Sequence, residues 1–159
     1  SADFAGAVYV FSRVGSTWSQ DAYVKASNAR QGSLFGTGAE LSSDGNILAV
    51  ASPGDPSNAA GINEDESDNT NNDAGAAYIF IRDQGIWSQQ SYIKANNTGS
   101  GDFFGGNNSN SNTAISSIAI SQNGDTFAVG AIMEDGAATG INGSQAVNDE
   151  SNSGAVYLY

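Results

Sequence analysis

Short apolar runs recur along the whole chain, and none keeps the three-to-four-residue spacing of an amphipathic helix. The runs AVYVF (7–11), AAYIFI (76–81) and AVYLY (155–159) are rich in β-branched and aromatic residues, as strands are. In an extended chain Val8 and Val10 point to one side, Tyr9 and Phe11 to the other. Both sides are apolar, so the pattern predicts a strand covered on both faces, as in a sheet packed between neighbouring sheets. Further strands are predicted over WSQDAYVKA (18–26), LFGTGAELS (34–42) and NILAVAS (46–52). Their counterparts are WSQQSYIKA (87–95), TAISSIAIS (113–121) and DTFAVGA (125–131). Asp44-Gly45 and Asn123-Gly124 lie between apolar runs, the pattern of a tight hairpin whose turn residues both take positive φ.

The runs belong to a tandem repeat. GAVYVF (6–11) maps onto GAAYIF (75–80) with a shift of 69, and the match continues through Trp18/Trp87, Tyr23/Tyr92, Lys25/Lys94 and Asn28/Asn97. It still holds at Phe35-Gly36 against Phe104-Gly105. From Asp44-Gly45 against Asn123-Gly124 the shift becomes 79, and it carries Gly61-Ile62-Asn63 onto 140–142 and Gly75 onto Gly154. The extra residues fall in an Asn/Ser-rich insertion near 106–117.

Four strands per unit, repeated, predict an all-β chain of tandem four-stranded antiparallel blades, a β-propeller-like repeat. The expected division is a partial blade at 1–28 (third and fourth strands), a complete blade at 29–97 and a partial blade at 98–159. That makes about two blades, incomplete as a closed ring, since closure takes roughly four to eight. Repeats that bury their faces against neighbours need further copies or missing chain, so either self-association or membership of a larger surface propeller protein is expected. Val8, Tyr9, Val10 and Phe11 at one end, and Val156, Tyr157, Leu158 and Tyr159 at the other, are the expected assembly strands. A head-to-tail contact between them gives a ring or a filament.

An FG pair, an apolar strand, a Gly turn, AVASPG, a loop and GAVYVF together resemble the FG-GAP repeat of integrin-α-like β-propellers, in the wording of microbial secreted and surface proteins. The resemblance runs from Gly6 to Tyr159 and implies the propeller fold more than any one activity. The family's calcium loop, with its spaced aspartates, is replaced here by SSDGNILA and SQNGDTFA, which lack the carboxylates that calcium needs.

Composition narrows the function. Seventeen acids against five bases give a net charge of −12, which repels nucleic acid and anionic membranes. With no histidine and no cysteine, the usual general base, Ser-His-Asp and Cys-His catalysis and disulfides are all excluded. No apolar run approaches a membrane span. An extracellular or cell-surface, non-enzymatic structural or adhesive protein is the expected reading. The alternative is a calcium-dependent, lectin-like module. For that reading the acidic loops 54–75 and 133–154 offer Asp55, Asp65, Asp68, Asp73, Asp135 and Asp149 as Ca2+ ligands, and an exposed Trp18 or Trp87 could stack on glycans. Sequons begin at Asn96, Asn107 and Asn142, with Asn107 the expected surface acceptor for glycosylation.

Overall fold

The computed structural model of the chain describes residues 3–107 and 115–159, which are all-β, with no helix among them. The strands are β1 (Val8–Val14), β2 (Thr17–Val24), β3 (Gly38–Leu41), β4 (Ile47–Ser52), β5 (Ala76–Asp83), β6 (Ile86–Ile93), β7 (Ile118–Ile120), β8 (Phe127–Ala131) and β9 (Ala155–Leu158). They form three antiparallel sheets in the orders β1-β2, β3-β4-β5-β6 and β7-β8-β9. Most of the Asn/Ser-rich insertion lies outside the described residues.

The two-sided apolar pattern explains the stacking. Tyr78 and Phe80 of β5 join Leu48, Val50 and Tyr92 in a core shared with Val8, Val10 and Val24 of the two-stranded sheet. Ala77 and Ile79, on the other side of β5, join Ala49 and Ile93 in a second core with Phe104, Phe127, Val129 and Tyr157. The four-stranded sheet is therefore covered on both faces. The outer sheets are covered on one: Tyr9 and Phe11 are 56% and 53% exposed, and Val156 and Leu158 are each 72% exposed. Burial on both faces, predicted for all three related strands, holds for β5 alone, because β1 and β9 each have a neighbouring sheet on a single side.

The Phe-Gly pair ties consecutive units together. Residues 3–6 run beside 32–35, with Leu34 N–H donating to Phe4 O and Phe35 N–H to Ala5 O. Residues 72–75 repeat this beside 101–104, with Phe103 N–H to Asp73 O and Phe104 N–H to Ala74 O. Gly6 and Gly75 form the parallel bridges to Phe35 and Phe104. A β-carbon on Gly75 would lie 2.3 Å from Phe104 O, and φ there is +82°, whereas Gly154 shares the left-handed backbone (φ +75°) with nothing nearer than Ile132 O at 3.4 Å. Gly154→Ala should therefore cost only the left-handed backbone term, about 1–2 kcal/mol. Gly75→Ala adds a backbone collision and should lose at least about twice as much. Equal shifts of the urea midpoint in the two variants would refute this.

The hairpins differ from the sequence expectation. Asp44-Gly45 does not form a two-residue turn. Ser42 N–H donates to Ile47 O, closing a loop over 43–46, and only Gly45 is left-handed. Asp44 accepts bonds from the Ser42 hydroxyl and Asn46 N–H, and this local capping favours the longer loop. Asn123 acts alike with Ser121 and Asp125. The turn with two positive φ values is Gln84-Gly85, between Asp83 and Ile86.

Candidate functional site

The strongest concentration of polar chemistry is buried between the two-stranded and four-stranded sheets. Asp55, at the start of the loop from β4 to β5, is fully buried. Its Oδ1 accepts bonds from Tyr92 OH (2.8 Å) and Ser57 N–H (3.1 Å) and pairs with Lys94 Nζ at 3.5 Å. Its Oδ2 accepts from Asn28 Nδ2 (3.1 Å) and Tyr78 OH (3.2 Å), and Tyr78 OH also lies 2.7 Å from Asn28 Oδ1. Burial and the Asp55 charge push both tyrosine hydroxyls far above their ordinary range. Burial pulls Lys94 down to about 8 despite the opposing pull of Asp55.

The arrangement recurs between the four-stranded and three-stranded sheets, in part. Glu134 stands where Asp55 stands, at the shift of 79, and is buried. It accepts Asn97 Nδ2 at 2.6 Å, and Tyr157 OH meets Asn97 Oδ1 at 2.6 Å, as Tyr78 meets Asn28. Gly154 N–H donates to Glu134 O as Gly75 N–H does to Asp55 O. Among the described residues, nothing at Glu134 takes the places of Tyr92 and Lys94.

The network was only partly legible. Asp55 was singled out as a metal ligand; the structure instead surrounds it with protein donors. Tyr78, Tyr92, Lys94, Asn28 and Asn97 have no site role in the sequence pattern, and Glu134 enters it only as one of the acids of the second loop offered to calcium. The available signal was that each recurs in the repeat and that an acid occupies the same place in both loops. Like Lys94 with Asp55, Arg82 pairs with a carboxylate, Asp21, at 3.1 Å. Asp21 is the extra residue of a bulge in the β1–β2 pairing, and Gln90 is its counterpart in β5–β6.

The six expected calcium ligands do not come together; among the described residues no group of three or more acids is arranged to hold a metal. Asp65 and Asp68 each cap their own loop, accepting from Ser67 and Thr70, which holds both carboxyls below their ordinary value. Burial raises Asp73. Asp135 accepts Asn152 N–H, and Asp149 is exposed. The carbonyls of Glu66, Ser67 and Asp68 do converge on a cation, the Arg30 guanidinium.

Of the sequon asparagines, Asn96 and Asn142 are exposed. Asn107 is buried, and its Oδ1 accepts Ile115 N–H at 2.7 Å, so it is not the displayed residue that its polar surroundings suggest. The rest of its sequon lies outside the described residues. Trp87 packs against the first core, while Trp18 is exposed beneath the Arg13 guanidinium. The eight assembly residues divide by side: Val8, Val10, Tyr157 and Tyr159 pack inward, and Tyr9, Phe11, Val156 and Leu158 face out. Compared with protein-family models, curated proteins and solved structures, the chain finds no match.

Proposed function

We propose that this chain is a non-catalytic, extracellular structural or adhesive protein of FG-GAP-like, propeller-type repeats, whose copies join head to tail into a filament or ring. One observation carries the reading. Each outer sheet exposes a face whose counterpart in the four-stranded sheet is buried. Tyr9 and Phe11 match Tyr78 and Phe80; Val156 and Leu158 match Ala77 and Ile79. The two exposed faces are thus the two halves of a contact that the molecule already makes internally, and such a heterologous contact propagates. Exposed apolar faces of this kind favour association.

The non-catalytic part rests on access: the most perturbed groups, Tyr78, Tyr92, Tyr157 and Lys94, are buried between sheets where no substrate reaches. The acidic surface suits an extracellular setting, and among the described residues no helix is long and apolar enough to cross a membrane. A calcium-dependent lectin role has less support, since Asp55 is taken by protein donors and Arg30 fills the carbonyl cradle of the first acidic loop. Negative-stain micrographs and sedimentation velocity of the purified chain provide the test. Rings or filaments growing with concentration are expected. A single 16.2-kDa species at all concentrations would overturn the reading.

A further inference from the structure

Two half-built sites in this molecule are complementary to each other. The first is at the two-stranded sheet. Tyr9 and Tyr23 stand with ring centroids 5.1 Å apart and an interplanar angle of 51°, nearly the 5.3 Å and 52° of Tyr78 and Tyr92. The tyrosine pair is in place, with Lys25 in the repeat position of Lys94 and its Nζ donating to Gly6 O, but Asp55 and Glu134 have no repeat counterpart in the residues leading to β1. The edge of β1 that β5 gives to β4 is also free of any described strand.

The second is at the three-stranded sheet, where Glu134 has its asparagine and one tyrosine but lacks the second tyrosine and the lysine. Beside it waits a clamp. In the four-stranded sheet, 61–63 folds along the outer edge of β6: Lys94 N–H donates to Gly61 O, Asn63 N–H to Tyr92 O, and Tyr92 N–H to Asn63 Oδ1. Gly140 and Asn142 hold the same left-handed conformations as Gly61 and Asn63 (φ 81° and 56° against 95° and 57°), but Ile141 between them is 93% exposed where Ile62 is 49% exposed. The clamp has its shape without a strand to grip.

We propose that one molecule lends its β1–β2 hairpin to the three-stranded sheet of another, where β1 takes the place of β9 beside β8 and Tyr9, Tyr23 and Lys25 complete the Glu134 site. This is an edge-to-edge form of the head-to-tail joining, distinct from face-to-face packing because β9 with Val156 and Leu158 leaves β8, and it rests on the reading that copies join head to tail. The exchange is close to neutral where strands swap, because GAVYVF (6–11) and GAVYLY (154–159) present nearly the same residues to β8. The gains lie beyond the swap. A fourth strand is added, the 140–142 clamp closes on Tyr23 and Lys25, and the edge of β1 becomes paired. In the β4–β5 register Ala49 faces Ile79; in the exchanged sheet Ala128 therefore faces Val10 of the incoming copy, where within one molecule it faces Leu158.

Engineered cysteines read this out, because the chain has none of its own. In Ala128→Cys/Leu158→Cys, oxidation staples β9 to β8 within one molecule, as directly paired residues permit. The reduced form of the same variant is its own folding control. By sedimentation velocity the reduced protein should form multiples of the 16.2-kDa chain, and the oxidised protein should stay at one. Mixed Val10→Cys and Ala128→Cys chains should form a disulfide between molecules. Assembly unaffected by the staple, with no such disulfide, would overturn hairpin exchange and leave head-to-tail stacking standing. A reduced and wild-type protein that never assembles would overturn both.

Discussion

Asp55→Ala is expected to remove about 3–5 kcal/mol of folding stability, a large part of the 5–15 kcal/mol of a typical domain. The carboxylate is the common acceptor for Tyr92 OH, Tyr78 OH, Asn28 Nδ2 and Ser57 N–H, and the counter-charge of Lys94. Removing it leaves a cation and several donors buried without an acceptor, which costs far more than the pair contributed. The loss should fall when the charge goes too: Asp55→Ala/Lys94→Met should be more stable than Asp55→Ala alone, since an apolar pair tolerates burial. Asp65→Ala, on an exposed loop, should leave the urea midpoint where it was. A single Asp55→Ala variant within 1 kcal/mol of the parent would show that the network does not hold these sheets together.

Alkali should unfold the protein abruptly. Tyr78, Tyr92 and Tyr157 are pushed far above the ordinary tyrosine range, and Tyr159 to about 12, with burial the main cause in each. In the unfolded chain these groups ionise near pH 10, so above it the folded state holds more protons than the unfolded one. Stability then falls with rising pH, by about 1.4 kcal/mol per unit for each tyrosine. Four together should exhaust a typical stability within about two pH units. Lys94 acts in the opposite sense in the window below. Its folded value is about 8, so from pH 8 towards 10 the unfolded chain holds the extra proton and stability rises, by up to about 1.4 kcal/mol per unit. The expected profile of melting temperature is a shallow rise followed by a steep fall. Tyrosinate absorbance and loss of the strand signal should appear together. Ionisation of all the tyrosines near pH 10 with the strands intact would refute it, and Tyr78→Phe should make the fall less steep.

Much of the local structure was readable because strands advertise themselves twice here, by alternation and by repetition. The apolar pairs Val8/Val10 and Tyr9/Phe11 announced a strand with two packing faces, and the shifts of 69 and 79 aligned its relatives. The turns were harder. Asp44-Gly45 matched the short-hairpin pattern, but side-chain capping by Asp44 made a longer loop, while Gln84-Gly85, with a weaker pattern, became the tight turn. The acidic residues were harder still. Asp55 and Asp65 look alike in a polar loop, yet one is sealed among tyrosines and the other is on the surface.

From the sequence alone came the all-β character, the four-strand unit, its spacing and the equivalence of Gly6, Gly75 and Gly154. These follow from residue period and internal identity, which are properties of the chain by itself. Only the tertiary structure decided which of the equivalent faces are covered, that Asp55 is held in a buried network of protein donors, and that Arg30 takes the carbonyls of Glu66, Ser67 and Asp68 in the first acidic loop. Burial and pairing depend on what a neighbouring sheet brings within a few ångströms, and nearly the same six-residue run can meet a full partner at β5 and, on one face, open solvent at β1 and β9.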